Sequence, residues 1–472
     1  MSQVQRIIPI APAVDFPGIA PAIRIQSRSI TGVFTRWRWS FVLLTQLLFY
    51  WLPWLNWNGR QAVWFDLDGG RFYFFNTVLF PQDLILLTGV LVFSALLLFA
   101  ATALFGRVWC GFACPQTVYT EMFTWIEQRF EGDRLTRLRL DEAPWRTQKL
   151  LRRGGKHFAW SALALLTGFM FVGWFTPVRA LAQALPTLNV GPWEGFWIVC
   201  YGVATYVHAG LLREKVCQHA CPYGRFQGSM LDPASRVIAY DEGRGEPRAA
   251  RARGVDPRGR GQGDCVDCTL CIQVCPVGID IRQGLQAACI SCGLCIDACN
   301  QVMDKLGSPR GLIRFRSMAG DSHPTFWKRP RVAWYGLGLM IVASAVLWGW
   351  ATRPELRLSV LRDRSVMARL SEDGGVENVY RLQLMNASLQ PRRLKVSAFI
   401  DGATALPMVI DRDHAVEVAP ASTAMTVLTL RMSPWMAQHQ GPARMVPIRV
   451  EVREAAGGRT LLASSPSTFA LR

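Results

Sequence analysis

Five stretches of apolar residues punctuate the chain: Trp39–Asn56, Asp83–Phe105, His157–Thr176, Trp193–Leu212 and Val332–Ala351. A helix crossing a bilayer needs about 20 mostly apolar residues, so each stretch reads as a span. The first is short, but Trp37, Trp39, Trp54 and Trp57 flank it, as suits a segment anchored at both interfaces. Buried helices of a large soluble protein would not call for such aromatic ends. Lys and Arg alternate between the connections: five in 1–38, two in 57–82, ten in 106–156, one in 177–192 and eighteen in 213–331. Cytoplasmic loops carry the excess, which places the N-terminus and the connections 106–156 and 213–331 in the cytoplasm. The connections 57–82 and 177–192, and everything from about Thr352 on, then lie outside it.

Beyond the fifth span the period changes from helical to two. Tyr380, Leu382 and Leu384 share one face of a predicted strand, Asn378–Met385. Leu394–Ile400, Thr423–Leu430 and Val446–Val452 follow, separated by Pro, Gly, Asp and Ser turns. Short strands at this spacing predict a β-sandwich. It lacks cysteine, and so has neither disulfide nor thiolate site. Residues 240–263 are rich in Gly, Arg and Pro and read as a mobile linker. Met1–Ile30 shows no apolar run after a basic start, the mark of a signal peptide. The predicted architecture is a multi-domain membrane protein. It has an N-terminal segment (1–38), four spans (39–212), a cytoplasmic insert (213–331), a fifth span (332–351) and a β-sandwich (352–472).

Composition changes this picture little. Half of the 472 residues are hydrophobic and 18 are Trp, as several spans require. The net charge of +18 sits mostly in loops beside apolar segments, where it sets topology rather than binding nucleic acid. The 13 cysteines change it a great deal. Twelve fall into regular groups, and Cys200 alone lies inside an apolar stretch, where a small core residue is expected. Grouped cysteines of this kind imply metal ligation in a reducing compartment.

The strongest group is Cys265-x-x-Cys268-x-x-Cys271-x-x-x-Cys275-Pro276, repeated at Cys289, Cys292, Cys295 and Cys299. Two-residue spacing lets three thiolates on one loop reach three corners of an iron–sulfur cubane. The fourth cysteine crosses to the other cluster. One [4Fe–4S] cluster is therefore expected on Cys265, Cys268, Cys271 and Cys299, the other on Cys289, Cys292, Cys295 and Cys275. The second copy has Asn300 where the first has Pro276. Zinc ribbons also use C-x-x-C pairs, but two tandem runs of four are far more specific to iron–sulfur.

A second pattern is Cys110-Gly-Phe-Ala-Cys114-Pro115 after the second span and Cys217-Gln-His-Ala-Cys221-Pro222 after the fourth. On a helix each pair would present two sulfurs on one face, so the two pairs predict a four-sulfur site at one membrane depth. Four thiolates select Cu(I), zinc or an iron–sulfur centre. Cysteines that merely fill helix ends are the alternative. Met122 and His219 stand nearby, and His157 and His208 sit at the same membrane face, but no C-x-x-C-H haem motif accompanies them. No Gly-rich dinucleotide fingerprint and no P-loop appears.

Arg107–Val118, Cys217–Gln227 and Cys265–Met303 together resemble the FixG/CcoG/RdxA family, membrane accessory proteins of cbb3-type cytochrome c oxidase assembly. The five spans and the β-rich tail fit the family plan, so the likeness covers nearly the whole chain. It implies an immunoglobulin-like C-terminal domain and a bacterial inner membrane location, with the ferredoxin-like domain cytoplasmic and the tail periplasmic. It further implies reduction of Cu(II) to Cu(I) for the oxidase, with copper near Cys110, Cys114, Cys217 and Cys221. Partners would be membrane lipid, the oxidase assembly machinery and a copper transporter or chaperone. The electron donor is open, a cytoplasmic protein or quinol, and no feature requires a symmetric dimer. Two other functions remain: a membrane ferredoxin feeding another redox partner, and a non-enzymatic assembly or docking factor.

Overall fold

The computed structural model describes residues 25–252, 259, 261–317, 329–363, 368–371, 374–401, 408–410, 415–439, 445–455 and 461–471. The chain forms two compact units. One runs up to Leu55 and resumes over Leu87–Val346, and the other comprises Asn56–Leu86 and the residues from Leu347 on.

The helices of the first part of the chain are α1 (Val33–Trp51), α2 (Leu84–Phe105), α3 (Pro115–Glu131), α4 (Arg134–Glu142), α5 (Thr147–Val172), α6 (Val178–Ala184), α7 (Pro192–Thr205) and α8 (Pro222–Met230). After them come α9 (Leu294–Leu306) and α10 (Pro330–Ala351). All five expected spans fall on helices, with shifted ends. Among the described residues three helical stretches are long and apolar enough to cross a membrane: Pro81–Phe105, Pro192–Leu212 and Pro330–Ala351. α1 and α5 fall short of that measure. α1 starts six residues before the expected Trp39, taking in Arg36 and Arg38, and gives way at Trp51 to a tight turn containing Pro53. α5 starts at Thr147 with Lys149, Arg152, Arg153 and Lys156 in its first turns, which leaves an uninterrupted apolar stretch only after His157. Cys200, expected in a core, is exposed on α7.

The charged first turns of α5 are not solvated. Lys156 pairs with Glu131 at 2.6 Å and lies 3.7 Å from Glu127, both on α3. Glu127 also accepts from Arg137 of α4 and from Arg213, each at 2.9 Å. Every side chain in this network is less than a tenth exposed. Lys156 and Arg213 also lie over the buried ring of Trp160, at 4.9 and 5.4 Å. Three cations on three segments thus converge on the two carboxylates of one helix.

The cysteine-rich insert is framed by an antiparallel pair of strands, Arg236–Tyr240 with Ile313–Ser317. Its described linker residues depart from the expectation of mobility. The Gly263 N–H donates to the Pro247 carbonyl, Asp264 N–H to Arg244, and Arg251 to both the Gly263 carbonyl and Ser308. A Cβ at Gly263 would run into the backbone of Gly245, so its lack of a side chain serves close packing rather than freedom.

In the second unit nine strands make two facing sheets: β1 (Leu356–Arg362), β2 (Arg369–Leu370), β3 (Val376–Asn386), β4 (Arg392–Ile400), β5 (Val409–Ile410), β6 (Ala415–Val418), β7 (Ser422–Met432), β8 (Met445–Glu454) and β9 (Leu461–Ala470). The orders are β5-β7-β3-β1, with β2 on β3, and β6-β4-β8-β9. The four expected strands lie within β3, β4, β7 and β8, and Tyr380, Leu382 and Leu384 are fully buried between the sheets. The sequence reading missed β9, which is Ser-rich and carries Pro466, and Pro is tolerated there because β9 is an edge strand. The connection 57–82 is not a plain loop. Val63–Asp66, Arg71–Phe74 and Thr77–Leu79 form a small antiparallel sheet. Its Tyr73 and Val78, with Phe80, pack on Met385 and Ala421 of the sandwich. Asp83, 3% exposed, holds Arg353 and Arg357 at its edge.

Removing one member of a buried ion network strands the others, at a cost of about 3–5 kcal/mol. Glu127→Ala, which orphans Arg137 and Arg213 together, is expected to lower the thermal midpoint of the detergent-solubilised protein far more than Arg153→Ala, whose pair with Asp141 is partly exposed.

Candidate iron–sulfur and thiolate centre

The eight cysteines of the insert line two adjoining cavities. Cys265, Cys268, Cys271 and Cys299 surround one, with Tyr240, Leu270, Met303 and Leu312. Cys275, Cys289, Cys292 and Cys295 surround the other, with Ile238, Ile281 and Ile290, and Cys271 reaches its wall as well. This is the division that crossed ligation calls for: Cys275 stands among the second copy and Cys299 among the first.

The two copies repeat a backbone conformation as well as a spacing. Asp267 and Thr269 flank Cys268 in left-handed conformations, with φ 53° and 56°. Ser291 and Gly293 flank Cys292 with φ 54° and 78°. Three of these four are not glycine, and each turn wraps backbone around a sulfur. The copies diverge where Pro276 faces Asn300. The short helix Leu270–Gln273 ends before Pro276, whereas α9 runs through Asn300, whose side chain accepts from the Gly311 N–H at 3.0 Å.

Burial pushes the Cys271 and Cys275 thiols up to about 11 and those of Cys289 and Cys299 up to about 12. The neighbouring sulfurs add to it. Thiolates in these pockets call for a compensating positive charge, which the irons of a cluster would supply. Four cysteines around each of two adjoining apolar cavities are the donor set that a cubane takes. Arg282 adds a fixed cation near Cys271, and its pairs with Asp280 and Asp267 hold it fully charged.

The two C-x-x-x-C-P pairs do not sit on α-helices as expected. Trp109–Ala113 and Val216–Ala220 are wide π-helical turns, and Cys114 and Cys221 stand in extended conformation at their ends. The proline after each opens the next helix, so Cys114 caps α3 and Cys221 caps α8. A helix N-terminus favours a thiolate. The Cys110 thiol is pushed up to about 12 and that of Cys217 to about 11 by burial, with the other cysteines of the quartet adding to both. Cys114 is raised too, but the N–H groups of Gln116 and Thr117 oppose its burial. The four cysteines, all half-buried, thus lie near enough to feel one another's charge, Cys114 and Cys221 each at a helix cap. Of the other candidates, His157 Nδ1 lies 2.7 Å from the Tyr206 hydroxyl.

Sequence reasoning treated quartet and insert as separate sites, but the structure joins them. A Cβ on Gly111 would lie 2.8 Å from the Ile290 carbonyl and 3.0 Å from the Cys292 Cα. Cys110 consequently packs against the apolar cluster that contains Cys275 and Cys292. Arg107 donates to the carbonyls of Ala287, Cys289 and Gly224, tying the second cysteine copy to the start of α8.

Comparison with known proteins followed from this geometry. Residues 212–318 match a 4Fe-4S dicluster domain and residues 87–132 a 4Fe-4S binding domain, while residues 346–472 match the IG-like fold at the C-terminal of FixG. Protein RdxA of Cereibacter sphaeroides is 35% identical over 461 residues, covering 93% of this chain and 96% of its own length. Nitrogen fixation protein FixG of Rhizobium meliloti is 38% identical over 423 residues, covering 82% and 80%. Protein RdxB of Cereibacter sphaeroides is 35% identical over 419 residues, covering 84% and 86%.

Gly111→Val pushes a branched side chain into the Ile290 carbonyl. The expected outcome is loss of the absorbance and EPR signal of the cluster nearest Cys292, with the other retained. Undiminished signal from both would show that the close approach is dispensable.

Proposed function

Because the chain belongs to the FixG/RdxA family of membrane iron–sulfur redox proteins, we propose that it passes electrons from its cysteine-rich insert to the quartet Cys110, Cys114, Cys217 and Cys221, where Cu(II) is reduced to Cu(I) for maturation of a cbb3-type oxidase. The observation that carries this reading is the packing of Cys110 against the cluster holding Cys275 and Cys292. An electron therefore has little protein to cross between the two sites.

Two [4Fe–4S] clusters, one on Cys265, Cys268, Cys271 and Cys299 and one on Cys275, Cys289, Cys292 and Cys295, supply one-electron carriers when bound. The chain's own residues do the rest. The apolar walls keep water from the sulfurs. Arg282 and Arg107 place positive charge beside them, which favours accepting an electron. Cu(II) is the substrate and takes one electron. The quartet's soft sulfurs hold the product Cu(I) more tightly than Cu(II), which favours reduction. The Lys/Arg alternation supports a cytoplasmic insert and quartet and a C-terminal domain on the other side, free to dock a partner.

A second reading rests on the match of residues 87–132 to a 4Fe-4S binding domain, which includes Cys110 and Cys114. In it the quartet holds a third cluster and the protein serves another electron acceptor. Iron content separates the two: about eight iron atoms per chain for two clusters and about twelve for three.

Mixing anaerobically reduced protein with Cu(II) in the presence of a Cu(I)-specific chelator is the direct test. Rapid Cu(I) formation that is lost in Cys275→Ser, and in Cys110→Ser/Cys217→Ser with iron content unchanged, is expected. Equal rates in the double variant would overturn the role of the quartet. A drop of about four iron atoms in that variant would favour the third cluster.

A further inference from the structure

A cavity of about 320 Å³ lies where α1 and α3 meet the insert. Its walls include Arg38 and Trp39 of α1, Thr120, Glu121, Thr124 and Trp125 of α3. Cys217 borders it on one side, and Val274, Pro276 and Ile290, the immediate neighbours of Cys275 and Cys289, border it on the other. It therefore touches both redox elements of the chain, and the function just proposed makes no use of it.

Arg38 is 2% exposed, its Nη2 donates to Glu121 at 2.7 Å, its guanidinium also bonds the Cys292 sulfur, and its Nη1 is the nitrogen left buried without a partner. A buried donor of this kind needs an acceptor. The charges of the wall are nearly balanced, since Glu121 answers Arg38, Glu127 answers Arg213 from behind, and the lining holds Glu214 as well as Arg28. A phosphate or other anion would find no surplus cation here, whereas a neutral ligand with carbonyl or hydroxyl oxygens would. Trp39 and Trp125 meet edge to face at 6.4 Å and 71°, offering aromatic surface to a planar ring. Two turns further along α1, Leu43, Leu44, Leu47 and Leu48 are exposed, a surface that suits a lipid-soluble tail. The volume holds one substituted six-membered ring, near the lower end of the usual range for ligand pockets.

We infer that this cavity binds the headgroup of a membrane quinone, with a quinone oxygen accepting from Arg38 Nη1 and the ring beside Trp39 and Trp125. The reduced form, a hydroquinone, is then the electron donor. Its oxidation breaks two O–H bonds and releases two protons and two electrons. Glu214, half-buried in the cavity wall, takes one proton, and the second leaves to water past the exposed lining residues Arg28 and Ser29. The electrons leave singly to the two one-electron carriers that the insert's cysteines hold, and one hydroquinone thus matches two Cu(II) under the proposed function. Arg38 is a binding residue in this scheme, and its charge is also felt by Cys292 and Cys275.

The inference rests on the iron–sulfur reading of the insert but is tested apart from it, by binding. The probe is a one-isoprenoid ubiquinone, with affinity measured by equilibrium dialysis of the cluster-loaded, detergent-solubilised protein. Thr124→Phe fills the cavity without removing a charge. It is expected to weaken binding at least tenfold while iron content and the EPR spectrum stay unchanged. Arg38→Met is expected to weaken binding likewise, and because Arg38 also faces Cys292 and Cys275 the unchanged EPR spectrum is required of the Thr124 variant alone. Equal affinity in Thr124→Phe and the parent protein, or no saturable binding to the parent, overturns the inference. Cu(I) formation driven by a chemical reductant is unaffected by either result, so failure here and failure of the copper reading are distinguishable.

Discussion

The carboxylate of Asp297 closes the first turn of α1 from another part of the chain. It accepts from the backbone N–H groups of Val33, Phe34 and Thr35 at 2.9–3.3 Å and from the Thr35 hydroxyl at 3.2 Å. A helix start leaves several N–H groups without partners, and a negative charge there is doubly favoured, by hydrogen bonding and by the helix dipole. α1 has no acidic residue in its own first turn and no side-chain cap of its own. Its cap lies instead between Cys295 and Cys299 on α9. The helix that presents two cluster cysteines is thus also the one that fixes where α1 begins, and hence where Arg38 and Trp39 stand.

That constraint explains why charges can be buried so freely on this side of the first unit. Glu127, Glu131, Arg137, Lys156 and Arg213 would be costly singly, but each is answered by a partner on a different segment. Such a network adds little net stability over apolar packing. What it adds is register, because only one arrangement of α3, α4, α5 and the turn after α7 satisfies every member. The π-helical turn Val216–Ala220 follows Arg213 within a few residues, so the position of Cys217 is set by the same network. Register at Glu127 and the cap at Asp297 therefore bring two sulfur sites together that lie far apart in sequence.

Cysteine spacing carried most of what the sequence revealed. The tandem repeat predicted which four cysteines share a pocket because ligand reach is a local, short-range property. The alternation in Tyr380, Leu382 and Leu384 did the same for the sandwich. What was not legible depended on contacts from afar. Lys149 and Lys156 made α5 look shorter than it is, since their partners lie on other helices or on carbonyls before it. The sheet within 57–82 was hidden because its apolar face is completed by Met385 and Ala421. The glycine-rich stretch after Tyr240 looked mobile because glycine serves looseness and close approach alike. Three of the four left-handed residues beside Cys268 and Cys292 carry no sequence signal at all.

Gly111 shows how little freedom the arrangement leaves. Its neighbours within the motif are Cys110 and Phe112, and its Cα lies against the backbone that joins Ile290 to Cys292. Arg107, three residues before Cys110, reaches the carbonyls of Ala287 and Cys289 just ahead of that backbone. A shift of the second cysteine copy therefore has to move Cys110 with it, and a shift of Cys110 has to move the insert. Electron transfer depends steeply on distance, and backbone contacts of this kind make the separation of Cys110 from the second cysteine copy a property of the fold rather than of side-chain rotamers.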